Sequence, residues 1–447
     1  MLPRNLPYSR ISVIGLGYIG LPTAAVLASS GVEVVGVDVN ESAIAAINAG
    51  LIHIQEPGLE VVVRQVAGAG LLRAVAVPEA ADAFIIAVPT PFSDKPEGQA
   101  PEPDLSFIRA AVESITPVLK AGDLIILEST SPVGTTEQMR EWLQAAREDL
   151  TFPGQGNGRS ADVHIAYCPE RVLPGRVLEE LVTNDRIIGG LSDACCTAAM
   201  SLYSLFVRGE CIVTDARTAE LTKLTENAYR DVNIAFANEM ALICDRLGIN
   251  AWELIRLANR HPRVNILNPG PGVGGHCIAV DPWFIVSSAP EQARLIAQAR
   301  AVNDSRPAYV VRQVAQAAQE IEKPVIACLG LAFKPDIDDL RESPAMQVVT
   351  LLAGTQCGKL LAVEPNIRQL PVELTALGVE IATLDTAIAH ADIVVILVDH
   401  KEFLQIDATL LSSRTVIDTR GLMPRLHSNT DTLLDTTAIP GLVRDGI

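Results

Sequence analysis

Positive charge is scarce in this sequence. Its 447 residues carry 35 Lys and Arg against 53 Asp and Glu, a formal net charge of −18 at pH 7. That excess argues against nucleic acid and anionic membrane surfaces as partners. An anionic small ligand would need local Arg, Lys or a helix N-terminus instead. Metal-type spacing is missing too. The eight cysteines contain no C-x-x-C pair, and the seven histidines form no cluster. Reduced thiols, a cytoplasmic location and no bound metal are the expectation. An uninterrupted membrane span is also lacking. Ile11 to Val32 carries no charge, but Gly15, Gly17, Gly20 and Pro22 interrupt it at spacings that suit strand, turn and helix. The length leaves room for two or three domains.

What is present begins at the N-terminus. Ile11–Ile14 reads as a buried strand and is followed by Gly15-Leu-Gly17-Tyr18-Ile19-Gly20, a helical pattern through Thr23–Ser30, and a second strand, Val32–Val37, ending at Asp38. This is a dinucleotide fingerprint in its strand–turn–helix–strand context. Gly15 permits the tight turn, Gly17 lets the backbone approach a pyrophosphate, and Gly20 lets helix and strand pack closely. Asp38 is placed to accept from ribose hydroxyls. Val39 and Asn40 follow it where an NADP site would show arginine, so NAD is the expected cofactor.

Further βα units follow. Ala83–Val88 runs into Pro89-Thr90-Pro91, and Leu124–Leu127 into Glu128-Ser129-Thr130. Strand ends line the ligand crevice of a doubly wound sheet, which points Thr90, Ser129 and Thr130 toward the nicotinamide side; ordinary turn chemistry is the alternative. Phe152–Ser160 reads as a Gly-rich loop. Val163–Tyr167 reads as a strand ending in Cys168-Pro-Glu170-Arg171-Val172, which makes Glu170 either an acid/base or a solvated loop acid.

From Ala216 to about Ala258 the pattern is helical. Lys223 and Asn227 share one helix face, catalytic or merely solvated. Arg263 and Asn265 lead into Asn268–Pro282, NPGPGVGGHCIAVDP, where Gly270, Gly272, Gly274 and Gly275 precede Cys277 and Asp281 follows. This loop reads as a device that brings a sulfur close to a ligand; a small buried hydrophobe in a turn is the alternative. Gln292–Val302 and Ala308–Ile321 read as one long helix or a pair. The last third returns to an α/β rhythm, with strands at Val325–Leu329, Leu360–Val363, Ile393–Val398 and Thr415–Asp418. It has no G-x-G-x-x-G. Lys334, Arg341 and Arg420 follow strand ends and are candidate phosphate holders or surface cations.

GLGYIG, CPERV, KLTENAYRD, GPGVGGHCIAVDP and FKPDIDDLRESPA, in that order, resemble the UDP-glucose/GDP-mannose dehydrogenase family over nearly the whole chain. The resemblance implies an α/β protein with two Rossmann-like doubly wound parallel-sheet domains, NAD-binding at 1–213 and UDP-sugar-binding at 321–447. A helical middle domain at 214–320 would carry the catalytic loop and a dimer-forming helix. It implies Cys277 as nucleophile, Lys223 as oxyanion stabiliser or proton carrier, Asn227 as polariser and Asp281 as activator of water. Thr130 and Glu170 would hold the reacting group or water. Gly15, Gly17, Tyr18, Ile19, Gly20, Asp38, Thr90, Thr130 and Arg341 would meet the cofactor. Glu170, Arg171, Val172, Lys223, Asn227, Asn265, Gly274, Lys334 and Arg420 would meet a UDP-sugar, and Arg263 would reach the neighbouring subunit's site in a homo-oligomer.

These residue types suit a four-electron oxidation of a primary alcohol to a carboxylate. A thiolate traps the intermediate aldehyde, and a nearby ammonium favours the thiolate. Two other classes stay open: a two-electron β-hydroxyacid dehydrogenase, which needs no thiol, and a catalytically silent nucleotide-sugar-binding protein.

Overall fold

The computed structural model of the chain describes residues 8–93, 101–154, 160–173, 175–275 and 277–423. Positions 155–159 of the Gly-rich loop expected at Phe152–Ser160 lie outside them. The chain divides into two compact units, one of Met1–Asn227 with Asp281–Arg294, the other of Ala228–Val280 with Leu295–Ile447.

The first unit is built on eight strands: β1 (Arg10–Ile14), β2 (Glu33–Val37), β3 (Leu72–Val75), β4 (Ala83–Ile86), β5 (Leu124–Leu127), β6 (His164–Tyr167), β7 (Arg186–Gly190) and β8 (Cys211–Asp215). Their order is β3-β2-β1-β4-β5-β6-β7-β8. β1 to β6 form parallel pairs, as the apolar runs require, since a sheet covered on both faces has no polar side. Two apolar clusters cover the faces. One holds Ile11, Val13 and Leu27, the other Phe84, Ile125 and Tyr167. Ile14 lies beside Val37 and Ile86, and Leu127 beside Tyr167. The segments after these strands therefore share one edge, with the topological switch between β1 and β4.

The strictly parallel sheet expected from sequence is modified at its far side. β7 runs antiparallel to β6 and then pairs in parallel with β8. β8 is largely exposed, an edge strand with no need of an apolar run, and so it left little trace in the sequence.

In the second unit, β9 (Val325–Leu329), β10 (Lys359–Val363), β11 (Glu380–Ile381), β12 (Ile393–Ile396) and β13 (Thr415–Asp418) form a parallel sheet of order β11-β10-β9-β12-β13. Its first turn repeats that of the other sheet. Gly15 and Gly330 have φ of 90° and 91°, and their N–H groups donate to Val37 and Val363 carbonyls at 2.8 Å each. Glu364, in the place of Asp38, accepts from the N–H groups of Leu331 (2.7 Å) and Ala332 (3.0 Å) and bonds His400 Nε2 (3.0 Å). That acid is committed to structure.

The helical middle consists of Ala216–Leu247, 32 residues long, then Ala251–Ala258 and Arg294–Ala318. The last is one continuous helix across Pro307 rather than a pair. The division between units falls inside Ala216–Leu247, so Lys223, Asn227 and Asp281 belong to the first unit and Cys277 to the second.

Candidate active site

The turn after β1 shows why its glycines are needed. A Cβ on Gly20 would stand 1.8 Å from the Gly15 carbonyl oxygen, and one on Gly15 2.6 Å from the Ala87 oxygen. Gly17, by contrast, faces open space. Helix Gly20–Ser29 starts with no side-chain cap; Leu21 and Thr23 N–H donate to the Gly17 and Ile19 carbonyls and Pro22 has none, so it is the positive end of the helix dipole that faces an anion. Asp38 accepts from Leu16 N–H at 2.8 Å and Asn40 N–H at 2.9 Å, which aims the carboxylate at the crevice. Thr90 Oγ1 is buried without a hydrogen-bond partner among the described residues, as a group awaiting a ligand would be. These features fit a dinucleotide: glycine turn and helix start for the pyrophosphate, Asp38 for a ribose.

The Lys223 face is the second feature. Glu220 is fully buried. It accepts from the N–H groups of Gly134 (2.6 Å) and Thr136 (2.8 Å) and from Thr136 Oγ1 (2.6 Å). This pins helix Ala216–Leu247 to the start of helix Thr135–Ala146, directly after the Ser129–Thr130 segment. One and two turns on from Glu220, Lys223 and Asn227 are half-buried and not on a solvated face. Asn227 Nδ2 donates to Asp281 Oδ2 at 2.6 Å across 54 residues of sequence. Asp281 is 2% exposed and opens helix Asp281–Ser288, which is held by the edge-to-face contact of Phe284 and Phe92 at 6.0 Å. Burial pushes the Asp281 carboxyl up to about 6, against the opposing pull of the Lys223 charge and the Asn227 hydrogen bond. Such a carboxylate is tuned for proton transfer near neutral pH.

Glu170 is not a solvated loop acid. Its side chain is buried and paired with buried Arg186 at 2.7 Å. Arg186 lies over the Tyr203 ring at 5.1 Å, and Tyr203 Oη donates to Glu128 at 2.6 Å. Burial pushes Glu128 up to about 7 although Arg186 pulls it down. Arg186, Tyr203 and Glu128 were not singled out as site residues from sequence. Only the position of Glu128 at a strand end hinted at it. Arg171 binds Glu226 through two nitrogens, at 2.6 and 3.1 Å, and so ties the Glu170–Val172 segment to the Lys223 helix.

Cys277, in the second unit, is the one exposed thiol among the chain's eight cysteines; Cys168, Cys195, Cys196, Cys244 and Cys328 are buried. The reading of Cys277 as a buried hydrophobe is therefore excluded. Its loop passes a cleft lined by Pro271, Gly272, Phe333, Lys334, Pro344 and Arg420. A Cβ on Gly274 would lie 2.3 Å from the Glu342 oxygen, so that backbone contact requires glycine. Arg420 Nε donates to Asp399 at 2.8 Å, whereas Arg341 pairs with Asp339 in its own turn at 2.7 Å. Arg263 and Asn265 are exposed. Asp336, His400 and Glu402 bring metal-type atoms within 4.8 Å of one another, but both His400 ring nitrogens already have protein partners.

Three domains of one family match the chain: the NAD binding domain of the UDP-glucose/GDP-mannose dehydrogenase family at residues 9–207, its central domain at 217–305 and its UDP binding domain at 327–425. The NDP-N-acetyl-D-galactosaminuronic acid dehydrogenase of Ralstonia nicotianae is 61% identical over 418 residues, covering 94% of this chain and 97% of that protein. The UDP-N-acetyl-D-mannosamine dehydrogenase of Yersinia pestis is 58% identical over 428 residues, covering 93% and 100%. The solved structure of the UDP-D-ManNAc dehydrogenase of Pyrococcus horikoshii is similar with a TM-score of 0.81 and 40% identity, covering 92% and 96%. No helix among the described residues is long and apolar enough to cross a membrane. The chain belongs to the UDP-glucose/GDP-mannose dehydrogenase family and is an NAD-dependent dehydrogenase of nucleotide sugars.

Proposed function

We propose that the enzyme oxidises C6 of UDP-N-acetyl-D-mannosamine to the carboxylate in two hydride transfers, through a cysteine thiohemiacetal and thioester. The observation that carries this reading is a buried Asp281 held at about 6 beside Asn227, four residues of sequence after the exposed thiol of Cys277. NAD, when bound, accepts one hydride at each stage. Asp38, the Gly15–Gly20 turn and Thr90 hold that cofactor, with Arg341 as a further contact.

The chain's own residues do the rest. Lys223 or a water held by Thr130 and Glu170 takes the proton from the C6 hydroxyl as the first hydride leaves. The Cys277 thiolate adds to the aldehyde carbon, and one proton returns to the new oxygen, giving a thiohemiacetal. Lys223 and Asn227 stabilise the negative oxygen in this step and the next. Loss of the second hydride and the hydroxyl proton leaves a thioester. Ionised Asp281 takes a proton from water, which attacks the thioester carbon and releases the carboxylate and the Cys277 thiolate. The sum is alcohol, water and two NAD⁺ to carboxylate, two NADH and three H⁺. Lys334, Arg420, Asn265, Gly274, Arg171 and Val172 hold the nucleotide sugar, and Arg263 that of a neighbouring subunit. The domain boundaries at 213/214 and 320/321, a cytoplasmic location and a role in surface-polysaccharide synthesis belong to the same reading. Tyr229, Phe236 and Ile243, seven residues apart and 71%, 51% and 42% exposed on helix Ala216–Leu247, support a homodimer through that helix.

The 61% identity to an N-acetyl-galactosaminuronic acid dehydrogenase favours a second sugar reading, the galacto configuration. NADH formed per sugar consumed, measured over UDP-N-acetylmannosamine, UDP-N-acetylgalactosamine, UDP-N-acetylglucosamine and UDP-glucose, tests both. Two NADH and the highest kcat/KM on the first are expected. One NADH with free aldehyde overturns the mechanism, and preference for another sugar overturns the substrate.

A further inference from the structure

The loop that carries Cys277 is gripped at its root. Gly270 N–H donates to Asn238 Oδ1 at 2.8 Å, and the Gly270 carbonyl accepts from Arg306 Nε at 3.1 Å. Both peptide groups of this residue are thus taken by buried side chains, from helices Ala216–Leu247 and Arg294–Ala318.

The grip has a direction. Asn238 uses its oxygen on Gly270, so its Nδ2 donates onward to Asn303 Oδ1 at 2.8 Å. Asn303 Nδ2 then donates to the Asp231 carboxylate at 2.8 Å and the Asp231 carbonyl at 3.1 Å. Arg300 Nη1 closes the chain on Asp231 at 2.6 Å. Asn238, Asn303 and Asp231 are all 0% exposed. An acceptor-only carboxylate at one end dictates which way each amide points. Pro307 adds to the fit. It has no N–H for the Asn303 carbonyl four residues earlier, and a Cβ on Gly272 would lie 3.5 Å from that oxygen and 2.9 Å from Pro344. Gly270 itself leaves room for Arg420, whose Nη1 would be 2.8 Å from a Cβ there.

We propose that Asn238 and Arg306 are positioning residues for the nucleophile: Asn238, oriented by the Asn303–Asp231–Arg300 relay, fixes the Gly270 N–H, Arg306 fixes its carbonyl directly, and together they set where Cys277 is presented. Neither touches the reacting atoms. The functional consequence rests on the reading of Cys277 as nucleophile, whereas the geometric one does not.

The test uses Asn238→Ala and Arg306→Met in the full-length enzyme, each checked by thermal unfolding and NAD binding. The first reading is the iodoacetamide alkylation rate of Cys277 by peptide mass spectrometry, expected to change at least about tenfold. An unchanged rate in both variants overturns the inference, whatever Cys277 does in catalysis. The second reading is turnover. The second hydride transfer is expected to slow by up to about a hundred-fold, the effect of a misplacement near 1 Å, with aldehyde escaping to semicarbazide and KM for NAD unchanged. In a Cys277→Ser background, Asn238→Ala should add nothing further to the loss. An equal loss of the first hydride transfer in both backgrounds marks a general structural defect and overturns the proposal. Failure of the nucleophile reading shows separately, as Cys277→Ser forming acid at the native rate. If Asn238→Ala does not fold, Arg306→Met tests the same peptide from its carbonyl side.

Discussion

Replacing Asp281 by Asn should stabilise the fold progressively as pH rises, while stopping acid release. The carboxyl is held at about 6 in the folded chain against an ordinary 3.8. The difference, roughly two pH units, corresponds to about 3 kcal/mol. The sign follows from linkage. A carboxyl whose folded value is raised keeps its full stability well below 3.8, where both states are protonated, and loses it as pH rises from 3.8 to about 6. Asparagine does not titrate and can still accept from Asn227 Nδ2. The stability difference between Asp281→Asn and the native enzyme should therefore rise by about 2.4 kcal/mol between pH 4 and pH 7.5, with a limiting slope of about 1.4 kcal/mol per pH unit. Urea unfolding followed by tryptophan emission reads it, Trp283 being two residues from the substitution. Any constant effect of the side-chain change cancels in the difference between pH values. A difference that stays flat to within about 0.5 kcal/mol across that range would refute the argument that burial governs this group. The same variant should stall as a sugar thioester, visible as an adduct mass on the Cys277 peptide. Native kcat should fall below pH about 6 as Asp281 takes up its proton.

Other outcomes follow from single contacts. Gly20→Ala places a methyl 1.8 Å from the Gly15 oxygen, so circular dichroism and NAD titration should show a destabilised first unit that binds no cofactor. Arg186→Met leaves Glu170 buried without its partner and should cost about 3–5 kcal/mol in thermal or urea unfolding, much of it recovered by adding Glu170→Gln. Cys277→Ser should abolish acid formation yet allow aldehyde to be trapped after one NADH; unchanged acid production would remove the thiol from the mechanism.

The sequence by itself determined what neighbouring residues decide among themselves. Strand runs such as Ala83–Ile86 and Leu124–Leu127 are apolar because a sheet covered on both faces favours apolar side chains on both. The Gly15–Gly20 spacing follows from backbone approach within one turn, and Asp38 from its place at the end of the next strand. The thiol loop was equally legible, because glycines, prolines and a cysteine lie within fifteen residues. Tertiary structure alone decided which polar groups meet. Asn227 finds Asp281 at a distance of 54 residues, Gly270 finds Asn238 at 32 and Arg306 at 36, and Arg186 turns Glu170 from a loop acid into half of a buried pair. A side chain's type states that it can donate, accept or carry charge, but its partner and its proton affinity depend on what packing removes from water. For the same reason the antiparallel run of β7 went unread: the direction in which a short buried strand such as Arg186–Gly190 pairs is set by hydrogen bonds supplied from elsewhere in the fold, and its residue types do not announce it.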